Sequence, residues 1–153
     1  MSGSELPMGP SATLRAKREA VLRVHLRGET EMDSDLVLGT MIDPPTYELP
    51  SIDVVLRGRD QVRQLLEVMF AAMPGIVHRP VAFHHADENV VVEVETDFPN
   101  GVDGSTPGLL ATVKTIGVFP FDGEVSLGEK VYGDMSALLP HLTFLGSSAD
   151  TGS

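Results

Sequence analysis

Residues 112–139, TVKTIGVFPFDGEVSLGEKVYGDMSALL, read as two long strands joined by a tight turn and closed by a short helical segment. Both flanks are rich in Val, Thr, Ile, Phe and Tyr, the residues that suit a pleated, half-buried surface. Phe121-Asp122-Gly123-Glu124 places an Asp-Gly pair at the turn, and that pair tolerates the left-handed backbone of a two-residue hairpin loop. At the far end Tyr132 and Asp134 are two positions apart, so a continuous strand sends both side chains to one face. If that face looks inward, a carboxylate and a phenol enter the protein.

Working outward, residues 76–86 and 90–98 form a second expected hairpin around Asp87-Glu88-Asn89. In its second strand Val90, Val92, Val94, Thr96 and Phe98 share the face expected to look inward, and Val91, Glu93, Glu95 and Asp97 share the other. The preceding helix, 60–73, carries Val62, Leu65, Leu66, Met69 and Met73 at helical spacing and stops at Pro74-Gly75. A first helix over 14–26 carries Leu14, Val21, Leu22, His25 and Leu26 behind a cap at Ser11 or Thr13. Asp33 and Ser34 cap a short helix, 35–41, which Asp43-Pro44-Pro45 cannot continue. Residues 46–50 read as a short extended segment, and 99–108 as a polar Gly/Pro loop.

Helix, helix, short strand, helix and then two hairpins is an α+β order. We expect a curved antiparallel sheet that forms a cone, with the helices packed on its concave face. The 153 residues, 42% hydrophobic, fit one domain over 11–145, with disordered ends at 1–10 and 146–153.

The chain holds 11 basic and 22 acidic residues, and from residue 80 onward only Lys114 and Lys130 face 11 acids. A nucleic-acid backbone would be repelled by that half, so nucleic acid is not an expected partner. Absence of cysteine excludes disulfides, thiolate metal sites and cysteine nucleophiles. The first ten residues lack the pattern of a secretory signal, and no apolar run approaches the ~20 residues of a membrane span, so a cytoplasmic protein with no membrane partner is expected. No phosphate loop, nucleotide fingerprint or serine-nucleophile elbow is present, which leaves chemistry without a cofactor as the expectation.

The element order, Gly58-Arg59-Asp60-Gln61-Val62 before the long helix, Met73-Pro74-Gly75 after it, Phe121-Asp122-Gly123, and Tyr132-Gly133-Asp134 before Ala137-Leu138-Leu139 are together similar to the SnoaL-like polyketide cyclases. That branch belongs to the nuclear transport factor 2-like, ketosteroid isomerase-like superfamily, and the resemblance spans residues 14–145. His25, Glu29 and Asp33, followed by Pro45-Thr46-Tyr47-Glu48, match a segment of one subgroup. The resemblance implies a conical apolar pocket for a small carbonyl or epoxide compound, worked by acid–base chemistry of the cyclase, isomerase, dehydratase or epoxide hydrolase kind. It also implies a homodimer. A binding or dimerising domain without turnover is the alternative, since one fold hosts many functions.

The resemblance places an acid–base carboxylate on the last strand, hence on Asp134; the local reading makes Asp134 the N-cap of 135–139. His84 is the second catalytic candidate, although only one of His84 and His85 can face inward and the alternation leaves open which. His25 and Glu29, one helical turn apart, read as a pocket wall or as a structural pair. Tyr47 and Tyr132 are the chain's two tyrosines, either donors to a developing oxyanion or core fillers. Met69 lies on the buried stripe and is counted with the pocket. Glu93 follows the outward phase. No short metal-binding motif is present, so no metal is expected at His25, Glu29 and a distant His84.

Overall fold

The computed structural model describes residues 9–145, so the expectations for 1–8 and 146–153 lie outside the described residues. Helix α1 runs Ala12–Thr30, capped by Ser11, whose Oγ accepts from Leu14 N at 3.1 Å. It is longer than its apolar stripe suggested and continues through Gly28. A Cβ on Gly28 would meet Val37 Cγ2 at 2.8 Å, so bare backbone is what lets the next helix pack against α1 here. That helix, α2, spans Ser34–Leu38 and is capped by Asp33, which accepts from Leu36 N at 3.0 Å.

The expected extension of α2 to Met41 does not occur. Met41 opens strand β1, Met41–Leu49, which is nine residues rather than the five anticipated at 46–50. Pairing with neighbouring strands overrides the local helical signal. Pro44 and Pro45, which cannot donate to a ladder, fall in the register break between the pairs Met41↔Ser126 and Thr46↔Gly128. A single turn at Pro50–Ile52 leads into β2, Val54–Arg57, and then α3, Arg59–Ala72. Strands β3, Val77–His85, β4, Asn89–Phe98, β5, Ala111–Asp122, and β6, Val125–Tyr132, follow, and a short helical turn at Ser136–His141 comes after the last strand.

The six strands form one sheet in the order β2-β1-β6-β5-β4-β3. Neighbours pair antiparallel except β1 and β6, which run parallel. The sheet is therefore mixed rather than purely antiparallel, and it does not close on itself. Its last β5–β6 pair is Asp122↔Val125, so the turn residues are Gly123 and Glu124, one position later than expected. Gly123 has φ 58° and Glu124 is not left-handed, so a single glycine supplies the reversal.

One helix-bearing face of the sheet holds the core. Leu22 and Leu26 of α1 pack with Val90, Val92, Val94, Phe119 and Phe121 of β4 and β5. Val62, Leu65 and Leu66 of α3 pack with Val37, Leu38, Tyr47, Leu49, Leu56 and Leu138. The inward phase of β4 is as anticipated, and each fully buried valine contributes on the order of 1.5–3 kcal/mol. Among the described residues no helix is long and apolar enough to cross a membrane.

Candidate acid–base site

Between the two apolar clusters lies a cavity of about 90 Å³, bounded by α1, α3, β1 and the inner faces of β3–β6. Leu65, Leu66, Met69 and Met73 form its α3 wall, and Leu26, Val94, Val113 and Val131 continue the apolar lining. The polar groups gather at Glu29, Tyr47, His78, Thr96 and Glu129, with Asp134 also on the lining.

His25, completely buried, stands behind this polar end. One turn of α1 brings Glu29 Oε1 to 3.0 Å from its Nε2, β6 brings Glu129 Oε2 to 3.2 Å, and β1 brings the Tyr47 hydroxyl to 2.9 Å. On the other side of the ring, Nδ1 is 2.9 Å from Thr40 Oγ1. The Thr40 hydroxyl donates to Val37 O at 2.6 Å, so its oxygen accepts and Nδ1 carries a hydrogen.

With Nδ1 protonated and two carboxyls at Nε2, the ring is held as an imidazolium. Burial opposes the charge, but hydrogen bonds and charge from Glu129 and Glu29 outweigh it and raise His25 from 6.5 to about 10. The two glutamates respond in opposite directions. Burial pushes Glu29 up, yet its contact with His25 prevails and holds it below the ordinary carboxylate value. Burial and the nearby Glu29 charge raise Glu129, and His25 and Tyr47 do not bring it back. Burial followed by the charges of Glu129 and Glu29 keeps the Tyr47 phenol well above its usual value, a neutral hydroxyl that hydrogen-bonds Glu129.

Of the residues singled out in the sequence, His25, Glu29, Tyr47 and Met69 converge here. Asp134 is exposed, accepts from Ser136 N at 3.0 Å, and is held below its usual value by that contact, an arrangement close to the capping alternative. Tyr132 is 45% exposed on the opposite side of the sheet, in a shallow depression with Val81, Glu93 and Glu95. The shared face expected for Tyr132 and Asp134 fails because β6 ends at Tyr132 and Gly133 turns the backbone at φ 153°.

His84 does not reach the cavity either. Its side chain is 61% exposed and meets Glu93 Oε2 at 2.7 Å outside the sheet. A register shift between Pro80 and Ala82 reverses the phase of β3, so both His78 and His85 turn inward and His84 turns out. His85 lies under α1, with Nε2 3.0 Å from Glu19 Oε2. Asp33 is occupied as the α2 cap and is not part of the cluster.

Glu129, His78 and Thr40 were not anticipated, and Thr96 was anticipated only as an inward-facing strand residue. A signal existed for Glu129, which shares the two-residue period of Leu127 and Val131 and is therefore an acid in an apolar phase. His25, Glu29 and Glu129 bring one ligand atom each to within 4.8 Å of one another, a spacing that would suit a metal ion only if His25 Nε2 gave up its proton. The distant partner is thus Glu129 rather than His84.

No protein-family model and no curated protein matches the sequence. Solved structures do match in three dimensions. A SnoaL-like polyketide cyclase, so named, from Jannaschia sp. CCS1 superposes with a TM-score of 0.69 over 86% of this chain and 95% of its own, at 14% identity. This chain has the ketosteroid isomerase-like, nuclear transport factor 2-like fold. The same fold is seen in SalBIII, described as an epoxide hydrolase/cyclase-like enzyme of pyran ring formation in salinomycin, with a TM-score of 0.67, 19% identity and 80% and 95% coverage. It recurs in a protein from Catenulispora acidiphila described as having a ketosteroid isomerase-like fold, in complex with trimethylamine, with a TM-score of 0.65, 14% identity and 79% and 90% coverage. In the nuclear transport factor 2-like fold of this chain, Glu29 and Glu129 approach the same cavity from α1 and β6.

Proposed function

We propose that the protein is an acid–base enzyme acting on a small, mostly apolar carbonyl compound, with Glu129 as proton donor and Glu29 as proton acceptor. The observation that carries this reading is geometric: two buried carboxyls, Glu29 and Glu129, line one apolar cavity and meet at a single His25 nitrogen, where the ring favours the ionised form of Glu29 and burial the protonated form of Glu129. When the environments of two acids are pushed apart, one holds a proton in the range where the other has lost it, and that division assigns donor and acceptor. His25 locks the pair: its imidazolium keeps Glu29 ionised, and Thr40 fixes the ring.

The step is a proton transfer. Glu29 removes a proton from the carbon beside the carbonyl, Glu129 or its partner Tyr47 delivers one elsewhere on the substrate, and the apolar walls of Leu65, Leu66 and Met69 exclude water. Such chemistry suits isomerisation, cyclisation or loss of water, and it needs only protons. The catalytic role that the resemblance suggested for Asp134 moves to Glu129, five residues earlier and buried within β6, whereas Asp134 stands at the exposed edge of the cavity. We further infer a homodimer formed through the outer sheet face, where Val81 and Tyr132 stand exposed.

Exchange of the α-protons of cyclopentanone for deuterium, followed by NMR, tests the proposal. Accelerated exchange that drops on the order of 10²-fold in Glu29→Gln, which lacks the proton acceptor, supports it. Binding without acceleration would make the protein a ligand-binding domain.

A further inference from the structure

His78 lines the same cavity, and its Nε2 is buried without a hydrogen-bond partner. Two contacts hold the residue in place: the backbone N donates to Thr30 Oγ1 at 3.0 Å, and Nδ1 stands 2.9 Å from Thr96 Oγ1. Glu29 Oε2 faces the free nitrogen across 3.6 Å, too far for a good hydrogen bond but close enough for its charge to favour a hydrogen on Nε2. Thr96 then donates to Nδ1, and Nε2–H is a buried donor with nothing to receive it. An unmade buried hydrogen bond is costly, so a ligand acceptor that reached this nitrogen from the cavity would be bound favourably.

We propose that His78 Nε2–H binds the carbonyl oxygen of an uncharged, apolar ketone, and that His78 is the residue selecting for that oxygen. This deepens the acid–base reading of the cavity and rests on it. The charge of the lining settles the ligand's own charge. Glu29, Glu129 and Asp134 are on the lining, where no Lys or Arg stands among the described residues, and the buried His25 ring is already committed to the two glutamates. A ligand carboxylate or phosphate at His78 would face Glu29, so anions are rejected while a neutral oxygen is accepted. A carbonyl there is polarised by the imidazole, and the adjoining carbon lies on the side of Glu29, the group that takes the proton.

Three probes on one small ring separate these contributions: cyclopentanone, the hydrocarbon cyclopentane, and cyclopentanecarboxylate. In the intact protein labelled with ¹⁵N at histidine, cyclopentanone should shift the His78 Nε2 resonance and cyclopentane should not. The ketone should bind on the order of tenfold more tightly than cyclopentane, the value of one buried hydrogen bond, and the carboxylate more weakly than either. His78→Leu should erase the preference for ketone over hydrocarbon, and His78→Gln, which keeps a donor, should restore part of it. An unmoved Nε2 resonance, a preference that survives His78→Leu in folded protein, or carboxylate binding as tight as the ketone's would overturn the proposal. Deuterium exchange in the same samples reports separately on the acid–base reading: lost exchange with a retained His78-dependent preference contradicts that reading alone.

Discussion

His25 on α1 and Glu129 on β6 are 104 positions apart in the chain and meet at 3.2 Å between Nε2 and Oε2. The contact joins the two halves of the chain at the end of the cavity and makes a buried histidine, two glutamates and a tyrosine one titrating unit. Removing any one member leaves the rest with an unmatched proton or charge.

Glu129→Gln retains the shape and a donor, so its stability cost should be about 1 kcal/mol, while turnover falls on the order of 10²-fold or more. Asp134→Asn and His84→Ala, at the exposed rim and outside the sheet, should leave turnover within a few-fold. Steady-state rates of the three variants, beside urea unfolding, check this; a dead Asp134→Asn with an active Glu129→Gln would return the role to the end of β6.

His25 should remain an imidazolium well above neutrality. Its folded value, about 10, exceeds the unfolded 6.5, so the stabilisation from the charged ring is fully present below 6.5 and is lost as pH rises through about 10. Histidine ¹⁵N shifts should show both ring nitrogens protonated at pH 8, and urea unfolding should show lower stability at pH 10 than at pH 7. A neutral His25 ring at pH 8 would contradict the assignment.

Gly128 is where β1 comes closest to β6. It holds φ 146°, and a Cβ there would stand 1.9 Å from Thr46 O. Gly128→Ala should therefore cost ~3 kcal/mol or more, combining backbone strain with loss of the β1–β6 pairing that carries Tyr47 to His25. Thermal unfolding measures it, and a change under about 1 kcal/mol would mean the strands part without loss.

Sedimentation at micromolar concentration should find a dimer, and Tyr132→Glu together with Val81→Glu should convert it to monomer with its fold intact. A wild-type protein that sediments only as monomer contradicts pairing through the outer sheet face.

The elements with a regular period were legible. Val62, Leu65 and Leu66 announced α3, and the valines of β4 announced its inner face. The site was legible only in part, because its geometry depends on irregularities that alternation cannot foresee. The register shift after Pro80 turns His78 inward and His84 outward. Two prolines disguise β1 as a break, which hid the parallel pairing that brings Tyr47 beside Glu129. His25 and Glu29 could be paired by helical spacing, whereas their third partner comes from a strand far along the chain.

The central claim is that Glu129 holds its proton above the ordinary carboxylate range while Glu29 has lost its own below it. Side-chain ¹³C NMR of glutamate-labelled protein across pH tests this directly, with each carboxyl assigned by Glu29→Gln and Glu129→Gln. The account predicts that the Glu129 signal titrates last among the glutamates and the Glu29 signal below the typical glutamate. A Glu129 signal that titrates together with the exposed glutamates, or beneath Glu29, would contradict it.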